Sequence, residues 1–239
     1  MQLARFCLAL ALLVAFAPAH ALLIRADRDD SEYLELASRY GAALRLASVE
    51  GEGVLIAPRW VLTAASVAAR IRALQSLRVA DRDVRIETVF SHPDASLALV
   101  FLRDAVDGVE PMPIYRENDE NGKAIVIVAH GPTGVIGDKA APAKVDHRTR
   151  AAINTVDRVE ARAFATRIKP ADEASDLQGA VTATEVGHPA FIETRTGIFV
   201  AGVGLAPAGD WEPYLRVSAF ADWIDATMFK AAQAEAAKK

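Results

Sequence analysis

The chain carries one cysteine in 239 residues, Cys7. No disulfide can close within it, and no multi-cysteine metal site can form. Histidine is scarce at five residues. Of these, His92, His130, His147 and His188 lie beyond the N-terminal stretch, and none stands at metal-ligand spacing from another. No metal is therefore expected. No phosphate loop or dinucleotide fingerprint occurs, so no cofactor is expected either. The formal net charge is only -4. A basic footprint for nucleic acid is missing, as is any pull toward anionic membranes. There is no low-complexity segment. The apolar run from Cys7 to Phe16 is too short to span a bilayer.

That run has another meaning. Arg5 supplies a positive start and Ala19-His20-Ala21 a small-x-small cleavage site. Residues 1–21 thus read as a secretory signal, cut after Ala21 to leave Leu22. The expected address is secreted or periplasmic, with no membrane partner after cleavage. Cys7 would leave with the signal. Export without disulfides fits a bacterial protein whose core suffices, and 52% hydrophobic residues allow a sizeable one.

The chain is organised around Gly51 to Ala68, GEGVLIAPRWVLTAASVA. Val54, Leu55 and Ile56 are β-prone, as are Trp60, Val61 and Leu62. Pro58, between them, presets φ for a turn and cannot donate to a ladder. Two strands joined by a tight turn follow. Ala64, Ala65, Ser66, Val67 and Ala68 suit one helical turn. This order resembles the signature of trypsin-like serine proteases of the chymotrypsin fold, G-x-G-x-L-I-x-x-x-W-V-L-T-A-A-H. The resemblance implies an all-β fold of two antiparallel six-stranded Greek-key β-barrels with a C-terminal α-helix. The end of the chain agrees. Tyr214, Val217, Phe220, Trp223 and Ile224 resemble the family's Y-x-x-V-x-x-Y-x-x-W-I, with Phe220 at its second aromatic.

The expected division is a signal over 1–21, an N-terminal segment over 22–39, a first barrel over 40–115, a second over 116–218 and a helix over 219–239. Asp30 or Ser31 is expected to cap a short surface helix before Arg39, its mixed charges a solvated face. Short apolar runs at 41–47, 77–80, 84–90 and 97–102 give strands of the first barrel. Residues 103–122, with Pro111 and Pro113, read as the crossing between halves. In the second half, 124–129 reads as a strand and 131–134 as a turn. Hairpins are expected from 151–156 with 159–166 around Asp157-Arg158, and from 190–193 with 198–203.

Peptide hydrolysis in this class needs an attacking hydroxyl, an imidazole to take its proton and a carboxylate to orient the imidazole. Ser66 occupies the position of the family's histidine. Its carboxylate position, after an H-P element, falls on Ser96 in Ser91-His92-Pro93-Asp94-Ala95-Ser96-Leu97. Asp94 would share a side with Ser96 only in an extended segment, and from roughly 6–7 Å along it cannot substitute. The motif G-D-S-G-G-P resembles Thr184-Glu185-Val186-Gly187-His188-Pro189, with Val186 in place of the serine. Thr184 and Val186 are then the oxyanion-hole equivalents. Ala180, six residues before Val186, marks the pocket floor. Glu212, two before Tyr214, stands where a pocket-wall glycine is usual and would fill the slot. No Ile-Val-Gly-Gly terminus is present for proteolytic activation.

No catalytic residue is therefore expected. The reading is an exported, inactive protease homologue, a pseudoprotease that binds a protein or peptide through loops on two barrels. The alternative is a weak serine-type endopeptidase or other hydrolase centred on a repurposed Glu185/His188 cleft. A third class is a periplasmic structural or inhibitory protein that competes with active relatives. The plainer expectation for His188 is a surface histidine, and for His92 a structural turn residue. Asp172, Glu173 and Asp176 read as a solvated loop.

Overall fold

The computed structural model describes residues 22–79, 82–131, 133–137, 146, 148–183 and 185–238. The expected signal, Cys7, His147 and Thr184 lie outside the described residues. In chain order the elements are β1 (Leu22–Ile24), α1 (Asp30–Ala37), β2 (Ala43–Leu46), β3 (Gly51–Ala57), β4 (Trp60–Ala64), α2 (Ala65–Ile71), β5 (Ser76–Val79), β6 (Arg82–Ser91), β7 (Leu97–Leu102), β8 (Ala124–His130), β9 (Gly134–Val135), β10 (Thr149–Thr155), β11 (Arg158–Val159), β12 (Ala163–Arg167), β13 (Gly179–Val181), β14 (Pro189–Thr194), β15 (Gly197–Gly204), β16 (Trp211–Arg216) and α3 (Ala221–Ala236).

Six strands, in the order β2-β3-β4-β7-β6-β5, form a nearly closed antiparallel barrel. β4 and β7 are buried along their whole length. That is why Leu97 to Leu102 is continuously apolar instead of alternating. The β3–β4 turn falls at Pro58-Arg59, as its composition predicts. Arg59 stacks over Phe101 at 4.3 Å and forks onto Glu235 of α3 at 2.8 and 2.9 Å. The turn thereby fastens the C-terminal helix to the first barrel. Val217, Phe220 and Ile224 bury the near face of that helix and of the 3-10 turn before it.

The second half is an open half-barrel of seven strands, not six, ordered β10-β8-β14-β15-β16-β12-β11. The β14–β15 hairpin forms where expected, around Thr194 to Gly197. The other expected hairpin does not. β10 pairs along its length with β8, from Thr149↔His130 to Thr155↔Ala124, while β12 pairs with β16 and only with the short β11 before it. Residues 103–122 cross between the halves and end at buried Glu120, which takes a fork from Arg216 at 2.9 and 2.7 Å and the Ser218 hydroxyl at 2.6 Å. The architecture is a mostly β, two-barrel chymotrypsin-like fold with a C-terminal helix.

The N-terminal segment is built into the second half. β1 is the middle strand of a small sheet, antiparallel to β13 and parallel to β9. The residue before α1 is Asp29, whose amide donates to Glu32 at 3.2 Å, in place of the expected Asp30 or Ser31. The charges of this helix are not merely a solvated face. Asp30 grips Arg150 of β10, a guanidinium 1% exposed that also bonds Asp146. Tyr33 is fully buried and donates to the Gln178 carbonyl at 3.0 Å.

Candidate functional site

The positions that resemble a catalytic triad come from three segments. Ser66 lies in the first turn of α2 and Ser96 just before β7; both are exposed. They are neighbours, because the Ala65 amide donates to the Ser96 carbonyl at 2.8 Å. Val186 is half-buried, and its carbonyl accepts the Glu52 amide at 3.2 Å. The next residue, Gly187, has φ of 95° and is pressed against Glu52 and Thr63, so a Cβ there would overlap the Glu52 carbonyl. That contact sets Gly187 against β4, after whose end Ser66 follows. Among these three side chains are two alcohols and an isopropyl group. None accepts a proton near neutral pH as imidazole does.

Asp94 does not share a strand face with Ser96, since residues 93–96 form a bend instead of an extended run. Its amide donates to His92 Nδ1 at 3.1 Å. His92 is a turn residue and more. Its ring meets Phe220 and Trp223 edge-on at 5.2 and 5.1 Å, tying this turn to the C-terminal helix.

Glu185 and His188 are brought together, but through the main chain. His188 Nδ1 donates to the Glu185 carbonyl at 2.7 Å. The Glu185 carboxylate receives the Thr182 amide at 2.6 Å and the Thr182 hydroxyl at 2.8 Å. His188 is not a surface residue. It is 1% exposed, over Gly204 of β15, whose bare backbone leaves the space the imidazole occupies. Its ring stands edge-on to Tyr214 at 5.2 Å. Burial pushes it down to about 4, so the ring is neutral. Among the described residues its Nε2 has no hydrogen-bond partner, nor has the Tyr214 hydroxyl within bonding geometry.

Ala180 sits in β13, buried and small. Glu212 points into the second barrel, 4% exposed. Its carboxyl receives the Val181 amide at 2.8 Å, the Thr166 hydroxyl at 3.1 Å and Asn154 Nδ2 at 3.2 Å. Burial outweighs these three donors and pushes it up to about 7. Side chains from β10, β12 and β16, with His188 and Tyr214, thus occupy the interior beside β13.

One pair was not anticipated from sequence. The Glu52 carboxylate, 2% exposed, accepts both the main-chain amide and ring Nδ1 of His130, each at 2.8 Å. Glu52 also donates its amide to Val186 and accepts the Thr63 hydroxyl on its carbonyl. A single residue therefore joins the first barrel, the second barrel and Val186. The one available signal was a charge between two glycines inside an apolar strand. Gly53 packs against Val61 and Leu62, and Gly51 against Val67, where side chains would collide. No family model matches the chain, and no curated protein matches it in sequence.

Proposed function

We propose that this is an exported, catalytically inactive relative of trypsin-like serine proteases that works by binding a protein or peptide. The observation that carries the reading is the trio Ser66, Ser96 and Val186, at positions where the resemblance calls for a base, an orienting carboxylate and a nucleophile. Two further features support it. Glu212, His188 and Tyr214 are buried beside β13, where the resemblance puts a specificity pocket's floor at Ala180 and its wall at Glu212. The alternative hydrolase draws no help from His188, whose ring is 1% exposed, out of a substrate's reach, with its Nε2 bonded to no described hydroxyl.

Digestion profiling tests the reading. The purified protein is incubated with casein and with a mixed peptide library, and new chain termini are counted by mass spectrometry. No new termini above the buffer control are expected. Termini that disappear in Ser66→Ala or Ser96→Ala would overturn the reading. Cross-linking in the exporting cell tests the binding half, and recovery of no specific partner there would count against it.

A further inference from the structure

Among the described residues, every buried side-chain nitrogen and oxygen has a hydrogen-bond partner except two, His188 Nε2 and the Tyr214 hydroxyl. Those two belong to one ring contact, edge-on with centroids 5.2 Å apart. Tyr214 is fully buried and His188 is 1% exposed. A buried polar atom without a partner is costly and uncommon, so two at one contact point to a shared ligand. Neither ring is free to turn away. His188 lies over Gly204 and is held by its Nδ1 bond to the Glu185 carbonyl at 2.7 Å. Tyr214 stacks on Phe164, centroids 5.0 Å and planes 16° apart, and faces Gly204 across the β15–β16 ladder. The Thr166 hydroxyl lies near Tyr214 but gives its proton to Glu212 at 3.1 Å.

We propose that His188 and Tyr214 form a binding site for one internal water molecule, which accepts the Tyr214 hydroxyl proton and donates to His188 Nε2. The chemistry of the two atoms selects this ligand. A carbonyl only accepts, so the proton of the His188 ring sits on Nδ1 and Nε2 presents a lone pair. The tyrosine hydroxyl has a proton to give. Whatever joins them must donate to one and accept from the other. An anion is repelled by the lone pair, and ammonium has no lone pair for the tyrosine proton. A metal ion finds no set of three ligating side chains among the described residues. Water does both, and bonds to two or more buried polar groups are what holds an internal water. The bridge ties His188, two residues beyond Val186, to β16 on the opposite side of the bare Gly204 backbone.

Oxygen-17 magnetic relaxation dispersion tests it by counting long-lived waters in the purified wild type and in Tyr214→Phe, which keeps the ring and removes the donor. The variant should lose one such water. An equal count in the two chains overturns the proposal. Should the variant fail to fold, a crystal structure of the wild type that resolves ordered solvent decides. A water within about 2.7–3.2 Å of both His188 Nε2 and the Tyr214 oxygen supports the site. A direct bond between the two side chains, a water on only one of them, or none, overturns it.

Discussion

Replacing Glu212 with glutamine should change how stability depends on pH, by an amount the structure sets. The carboxyl is buried on β16 and raised from 4.5 to about 7. The folded chain therefore keeps this proton longer than the unfolded one. Its stabilising effect is complete below about pH 4.5 and is lost as pH rises through 7. At about 1.4 kcal/mol per pH unit the loss comes to about 3 kcal/mol. His188 runs the other way. Lowered from 6.5 to about 4, it is bound as the neutral ring, so its effect is complete above pH 6.5 and is lost as pH falls toward 4. The two slopes oppose each other over most of the same window, so the wild-type profile hides both. Glutamine removes one. Urea unfolding of variant and wild type in parallel, in steps from pH 4.5 to 7.5, should show the variant gaining about 3 kcal/mol on the wild type across that range. Carboxylates elsewhere titrate alike in both chains and drop out of the difference. A difference that stays flat with pH would refute the reasoning.

Four other substitutions test the packing of the candidate site and of the N-terminal segment. Gly204→Ala should cost about 2–4 kcal/mol in urea unfolding, because the new methyl overlaps a buried His188 ring that has nowhere to retreat; most of that cost should vanish in a His188→Ala background. Glu52→Ala should cost about 2–4 kcal/mol by leaving the His130 ring and amide without their acceptor, whereas Asp94→Ala, on an exposed bend, should stay within about 0.5 kcal/mol in the same assay. Arg150→Leu takes the shared guanidinium from Asp30 and Asp146, and should lower stability by about 3–5 kcal/mol, with α1 the first segment cut in limited proteolysis.

The two-barrel fold was legible because its strands announce themselves locally. Trp60-Val61-Leu62 after Pro58, and Leu97 to Leu102, have the right residues for strands buried on both faces, and the β14–β15 turn has its own chemistry. Pairing was less legible, since an apolar run says that a strand exists and not which strand lies beside it. Residues 151–156 looked like one arm of a hairpin with 159–166, yet the strand they fall in, β10, has β8 as its mate, across a connection of more than a dozen residues. The site followed the same division. Motif order marked Ser66, Ser96 and Val186, and the chain brings Ser66 and Ser96 side by side. His188 was misjudged because its burial depends on a missing side chain at Gly204, contributed by another strand. Glu52 and His130 are separated by 78 positions, and Asp30 and Arg150 by 120, so neither pair leaves a local pattern.

The central claim is that the hydrolytic apparatus is absent, and a fluorophosphonate probe tests it most directly. The folded, purified chain is treated with excess probe and its intact mass is recorded beside a heat-denatured control. An unchanged mass is predicted, since no imidazole is expected to activate a serine hydroxyl at the positions of Ser66, Ser96 and Val186. A stoichiometric adduct on any serine, present in the folded sample and lost on denaturation, would contradict it.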